Sequence, residues 1–477
     1  MRICQTGCTP FGMTAPLFKL SFIAVAAAFV LLSASVGLMQ AQNVTLIYSF
    51  SNLGSSANPI HVIPAQGRDA KLYGTTEGTS LDFGSIFRVQ TTGAGTTLYA
   101  LDGTEGSLPD VGLTLASDGN FYGTTFEGGT ANYGVLFRIT PAGVYTVLHN
   151  FAGGTDGGYP LAAPVEASNG SIYGTTLGPA PSTSTVYQYT LSGAFSTIYQ
   201  FDGTAGEGVV SGVIQGADGN LYGTASEGGA NNCGTIFKMT TAGTLLRYFS
   251  FKCGLGGASP SASLVQASDG NFYGTTSAGG YNGHGTIFKM GQKGLVSILY
   301  RFRGKPIDGS GPGALVEGTD GNLYGITTLG GKENFGALFS ATKSGSYSLL
   351  YSFAHTVGQN PSGGLMQHTN GQLYGTAEKG GAGGAGSVFS LDMGFGPLIT
   401  FVVPAAQVAQ TAQILGQGFT GTTSVTFNGI AATSFKVASD TFLTAVVPSG
   451  ATSGPVVVTT PSGTLTSNKS FTIVPGS

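Results

Sequence analysis

A Tyr-Gly pair returns at Tyr73, Tyr122, Tyr173, Tyr222, Tyr273, Tyr324 and Tyr374, a step of 49 to 51 residues each time. A fixed period of this length means stacked copies of one small unit, none of which buries its apolar face alone. The cleanest copy, Leu264 to Phe302, reads LVQASDGNFYGTTSAGGYNGHGTIFKMGQKGLVSILYRF. Its four apolar runs, LVQA, NFYGTT, GTIFKM and VSILYRF, are separated by Ser-Asp-Gly, a Gly-rich loop and a Gly-containing turn, the punctuation of antiparallel hairpins. One copy is therefore a four-stranded sheet, and seven copies predict an all-β fold, a seven-bladed β-propeller.

The segment NVTLIYSF, from Asn43, matches the fourth run of the repeat, and the last copy stops after its third run at Asp392. The first strand is thus expected to complete the last sheet and close the ring, which removes two free sheet edges. The pairs at Asp118, Asn169, Asp218, Asp269, Asp320 and Asn370, each followed by Gly, predict two-residue type I′ hairpin turns. That makes the repeated Asp a turn former rather than a carboxylate of chemistry. The repeated Tyr, always beside Gly, reads as a packing residue rather than a stacking platform for sugars.

Charged residues are only 9% of the chain while Gly numbers 80. Sheets packed on both faces need little polar surface, and the Gly falls at fixed repeat positions among aromatic strands, so disorder is not the explanation. Residues 1–41 differ: Arg2 and Lys19 precede LSFIAVAAAFVLLSASVGLM, the pattern of a secretory signal peptide cleaved near Ala41, with an uncleaved signal-anchor as the alternative. Cys8 precedes the apolar run, so it is no lipoprotein cysteine. Past residue 41 stand 17 basic and 22 acidic residues, net −5, which disfavours nucleic acid as a partner. Only Cys233 and Cys253 remain there, at the two ends of one hairpin centred on Ala242-Gly243. A disulfide is expected in an oxidising compartment, where closing such a loop contributes roughly 3 kcal/mol; two buried thiols are the alternative.

The block DGNLYGT, then GG, then GTIFKMT, then TLLY-type strands resembles the GloVer repeat of the choice-of-anchor tandem-repeat proteins, an exported bacterial group, from Val44 to about Asp392. That resemblance implies export and no activity. From residue 396 the period gives way to alternating short strands, which suggest an immunoglobulin-like sandwich. Ile414, Gly416, Gly418, Phe419, Phe427, Asn428, Gly429, Ser439, Asp440, Thr441, Val447 and Pro448 resemble an IPT/TIG domain, although Ala405, Ala406 and Gln407 follow Pro404 where that family often has Gly. The expected organisation is a signal segment over 1–41, the propeller over 42–395 and the IPT/TIG-like domain over 396–477. No apolar run with a basic tail follows Val474, so the sandwich is expected to serve as the tether.

Ligands of propellers enter where loops converge at one end of the axis. Here those are the loops between second and third strands, such as EGGTANYG, AGGYNGHG and EKGGAGGAG, and the inter-repeat loops DGTEGSLPD, AGGTDGGYP and RGKPIDGSGP. They carry Glu77, Glu127, Tyr133, Glu227, Tyr281, Asn282, His284, Glu333 and Glu378. Carboxylates, amides and aromatic faces together suit a sugar or a cation such as Ca²⁺; a solvated loop ring is the plainer reading. No other cofactor is implied. The five histidines show no HxH or HExxH spacing, and no GxSxG elbow or P-loop occurs, which disfavours metal hydrolase, serine hydrolase and nucleotide chemistry. The expectation is a secreted or cell-surface bacterial protein that recognises an extracellular glycan or protein without catalysis. A membrane enters only through an uncleaved signal-anchor. A propeller lyase or glycan hydrolase using loop carboxylates, and a structural part of an extracellular assembly, are the alternatives.

Overall fold

The computed structural model describes residues 43–51, 57–78, 82–180 and 183–474. The apolar segment read as a signal peptide lies outside the described residues, and among these no helix is long and apolar enough to cross a membrane. Each repeat forms one antiparallel sheet, with its strands in chain order in the first five. In the copy at 264–302 they are Val265–Gln266, Phe272–Thr276, Thr286–Met290 and Val296–Arg301. Seven such sheets occur among the described residues, and the sixth carries an extra strand, Gly309–Pro312. In that copy the second strand is wholly buried and the third nearly so, whereas the outermost is partly exposed. Burial on both faces is why these runs carry so little charge.

The strand Asn43–Ser51 pairs antiparallel with Gly384–Asp392, from Asn43 opposite Asp392 to Ser51 opposite Gly384. It is the outer strand of the last sheet, as the sequence predicts. The repeated Tyr-Gly is explained by packing at two points. A Cβ on Gly74 would lie 2.5 Å from Phe87 Cζ, and one on Gly123 2.5 Å from Phe137 Cζ; the glycine is the slot for the third-strand Phe. The Tyr beside it is buried in every repeat. Its hydroxyl meets the turn, with Tyr122 donating to Asp118 at 3.0 Å and Tyr273 to Asp269 at 2.8 Å.

The turns themselves differ from the expected two-residue form. Ala116 N–H bonds Asn120 O and Gly119 N–H bonds Ala116 O, both at 2.9 Å, so the loop holds three residues, and of these only Gly119 takes a positive φ, 87°. A type I turn ending in a left-handed glycine needs one such residue, where type I′ needs two. Asp118 is thereby free to accept from Asn120 N–H at 2.9 Å as well as from Tyr122. Cys233 and Cys253 form a disulfide, Cα to Cα 5.5 Å, just outside the pairing of Thr235 with Ser250.

Residues 399–473 form two four-stranded sheets, one containing Thr411–Leu415 and Phe442–Val446, the other Ser424–Phe427 and Val456–Thr460, with the parallel pair Ala405–Ala406 and Thr472–Ile473 beside them. Ile414 and Leu443 from the first meet Phe427 and Val456 from the second in one core, which makes them a sandwich.

A chain of side-chain latches joins the repeat sheets. The residue ending each innermost strand holds the turn of the preceding repeat. Glu166 accepts from Ser117 N–H at 2.6 Å, Gln215 from Ser168 N–H at 2.8 Å, Gln266 from Ala217 N–H at 2.8 Å and Glu317 from Ser268 N–H at 2.8 Å. Gln367 reaches Thr319 at 3.2 Å, and Gln66 closes the circle on Thr369 with bonds of 2.8 and 3.0 Å. The second repeat has Leu115 at this position. There the sandwich docks: Leu415 and Phe442 pack with Leu115, Leu113 and Phe121. The unlatched turn is held from outside, since Thr441 Oγ1 donates to Arg68 O at 2.6 Å, Arg68 donates to Gln413 at 2.6 Å, and its guanidinium lies 4.4 Å over the Phe442 ring. Leu115→Gln is expected to unseat the sandwich at a cost of roughly 1–3 kcal/mol, because an amide enters an apolar contact. The check is the rate of proteolysis between residues 392 and 398; cleavage at the parental rate would refute the docking role of Leu115.

Candidate functional site

The innermost strands enclose an axial channel. Toward the inter-repeat loops it opens as a cavity of about 600 Å³ whose wall takes a segment from each repeat, including His61, Val111, Leu161, Ser211, Ser261 and Ser362. These are small or apolar side chains and backbone, and His61 is the titratable group among them. Toward the turns the channel continues into two spaces of about 390 and 360 Å³, which the sandwich roofs with Thr400, Phe401, Leu415, Pro404 and Lys469. Ile63, Leu113, Ser263 and Ala314 line both the larger cavity and the first of these spaces, so the two abut. The wall is therefore made by the repeats alone at the loop end and by the repeats and the sandwich together at the turn end.

Behind the cavity wall at the loop end, next to Val111 and His61, a group of acids collects where the last, first and second repeats meet. Asp110, between Pro109 and Val111, is pushed up to about 8 by burial and then by the charges of Glu77 and Glu127. Its Oδ1 is enclosed without a hydrogen-bond partner. Burial also raises the Glu77 carboxyl, with Glu378 adding to the effect and Lys379 opposing it. Glu378 itself pairs with Lys379 at 2.9 Å. His61 is held below its ordinary value by burial, against the pull of Glu378; its backbone N–H bonds Ser362 Oγ at 2.9 Å.

Of the residues singled out from sequence, Glu77, Glu127 and Glu378 thus belong to one neighbourhood. Tyr133 packs edge-on to Tyr159 with ring centres 5.1 Å apart, and Tyr159 lies 5.0 Å from Phe126, so it props a loop. Asn282 takes a left-handed φ of 54° and serves the turn, while His284 Nδ1 is 2.9 Å from Ser310 Oγ. Tyr281 is exposed, as are Glu227 and Glu333 in the fourth and sixth repeats, away from the acidic group. Among the described residues no set of three or more His, Cys, Asp or Glu is placed to hold a metal ion. Asp110 stands in the inter-repeat loop DGTEGSLPD but is not among the residues singled out from sequence. Its signal was there: Asp110 follows Pro109, where other repeats have Ile60, Leu161, Ser261, Gly313 and Ser362 after the loop proline.

The model of the Gloeobacter/Verrucomicrobia repeat matches residues 38–178, 154–314 and 291–469. No curated protein matches the chain in sequence. Among solved structures, the chain is similar to a candidate 6-phosphogluconolactonase of Bacteroides fragilis, at 18% identity and a TM-score of 0.48 over 67% of this chain and 94% of that one. A second candidate 6-phosphogluconolactonase, of Bacteroides uniformis, gives 17%, 0.45, 67% and 95%. A gluconolactonase of Xanthomonas campestris gives 13%, 0.38, 61% and 87%. Likeness at this level carries no argument about activity.

Proposed function

Since the chain belongs to the Gloeobacter/Verrucomicrobia repeat family, we propose that its repeat array is a seven-bladed β-propeller with a C-terminal IPT/TIG-like domain, and that it works as an exported recognition protein. It is secreted or held at the cell surface, and it binds an extracellular glycan or protein without transforming it. The observation that supports this reading is the inequality of the two channel ends. The sandwich lines the turn end alone, and at the loop end Asp110, with Glu77 and Glu127 near it, adjoins Val111 of the cavity wall. Acids beside an uncharged concave wall are suited to sugar hydroxyls, which donate to carboxylates while their apolar faces lie on the wall.

A second reading draws on Asp110 alone. A carboxyl that keeps its proton near neutral pH, with two more carboxylates close by, is what general acid cleavage of a glycosidic bond requires. The full chain, titrated with polysaccharides and cell-wall fractions with and without Ca²⁺, tests both. Saturable binding that weakens at least about tenfold when Glu77 and Glu127 become Gln is the expected result, the loss of two charge-assisted hydrogen bonds. Binding to none of them would overturn recognition of glycans and favour a structural role among proteins; turnover of a bound polysaccharide, lost in Asp110→Ala, would establish the lyase or hydrolase.

A further inference from the structure

Lys469 sits in the sandwich on the loop between the strands Gly463–Thr466 and Thr472–Ile473, and it lines both spaces at the turn end of the channel. Its side chain is exposed to the spaces it lines, while the crowding of protein around the ammonium penalises its charge, as for a group facing an internal channel. Its neighbour Asn468 fixes the loop by donating to Gln367 at 3.2 Å. Among the described residues the Lys469 ammonium has no ion pair and no hydrogen bond. The two acids of that region are already engaged: Glu317 by Lys343 and by Ser268 N–H and Oγ, Glu166 by Ser117 N–H and Oγ. The latch amides are spent too, with Gln215 and Gln266 each donating to a glycine carbonyl of its own turn. An enclosed cation without a counter-charge is costly, and burial lowers the Lys469 pKa accordingly, against the pull of Glu317.

We propose that Lys469 is the floor of an anion site inside the axial channel, which takes the carboxylate or phosphate of a single sugar unit. The site is composite: the repeats supply the walls, the sandwich supplies the charge, and neither makes it alone. Spaces of about 390 and 360 Å³ suit one sugar ring. The acids at the loop end do not oppose an anion here, because they lie outside the channel wall, Glu378 is paired with Lys379, and Asp110 holds its proton at neutral pH. This inference rests on the recognition reading and narrows it to an acidic glycan end or a sugar phosphate.

The test is calorimetric titration of the full chain with D-galacturonate, glucose 6-phosphate and neutral D-galactose, for the parent, Lys469→Met and Lys469→Arg. The parent is expected to bind at least one of the two anions, and galactose at least about tenfold more weakly. Lys469→Met should lose about tenfold or more toward that anion while melting no lower than the parent, because it removes an unpartnered charge. Lys469→Arg should stay within a few-fold of the parent. Which anion binds distinguishes a uronate from a phosphate source. Absence of anion binding by the parent, or equal binding by Lys469→Met, would overturn the site. Cell-wall fractions that bind the parent and Lys469→Met equally would overturn it while leaving the recognition reading intact. Anion binding through Lys469 without binding of any fraction would do the reverse.

Discussion

Deleting residues 43–51 is expected to abolish the cooperative unfolding of the repeat array. The strand adds a full ladder to Gly384–Asp392, and it also ties the last repeat to the first. Phe50, fully buried, meets the first-repeat Phe87 edge-on at 5.0 Å, in a cluster that also holds Leu72, Tyr374 and Val388. Losing one buried Phe costs about 3–5 kcal/mol. Losing the strand adds the ladder and bares Gly384–Asp392 as an unprotected edge, which invites aggregation. The sum rivals the 5–15 kcal/mol typical of a whole domain. Phe50→Ala separates the packing share from the ladder, with an expected loss of about 3–5 kcal/mol in urea titration. A truncated protein that melts like the intact one would show that the circle is held by contacts between the repeats alone.

Asp110→Asn is expected to stabilise the protein, and the gain should grow with pH. Between 3.8 and about 8, the folded protein keeps the Asp110 proton that the unfolded chain has released. Stability therefore falls as pH rises through that window, and above it the whole penalty is present. At roughly 1.4 kcal/mol per pKa unit the ceiling is about 5–6 kcal/mol; partial exposure and relaxation of Glu77 and Glu127 bring the expected gain to roughly 2–3 kcal/mol at pH 8. Near pH 4 the gain should vanish. His61, His149 and His368, all held below 6.5 by burial, act in the opposite direction, since stability is lost as pH drops below 6.5. They are common to both proteins and cancel in the comparison. Melting curves at pH 4, 6 and 8 decide it; a gain independent of pH would mean that the benefit is steric. A buried carboxyl kept at a cost to stability is characteristic of a working site.

What the chain declares in one dimension is whatever depends on a local period. The Tyr-Gly step, the four apolar runs and the strand at Asn43 completing the last sheet were all legible, because strand alternation and turn chemistry act between residues close in sequence or repeated in register. The pairing of Cys233 with Cys253 followed from the geometry of a single hairpin. Tertiary structure alone decided the rest, because those contacts span hundreds of residues. Glu77 and Glu378 meet only because the circle closes, and Glu227 and Glu333, alike in sequence, are left at distant points on it. Even the turn type escaped a local reading: Asp-Gly permits two hairpin geometries, and the Tyr hydroxyl accepted by Asp118 accompanies the three-residue one. Leu115 and Lys469 are the clearest cases. One is a missing latch and the other an isolated surface-like lysine, and each acquires its meaning only when the sandwich is laid across the end of the channel, where low dielectric makes an unpaired charge or a misplaced amide expensive.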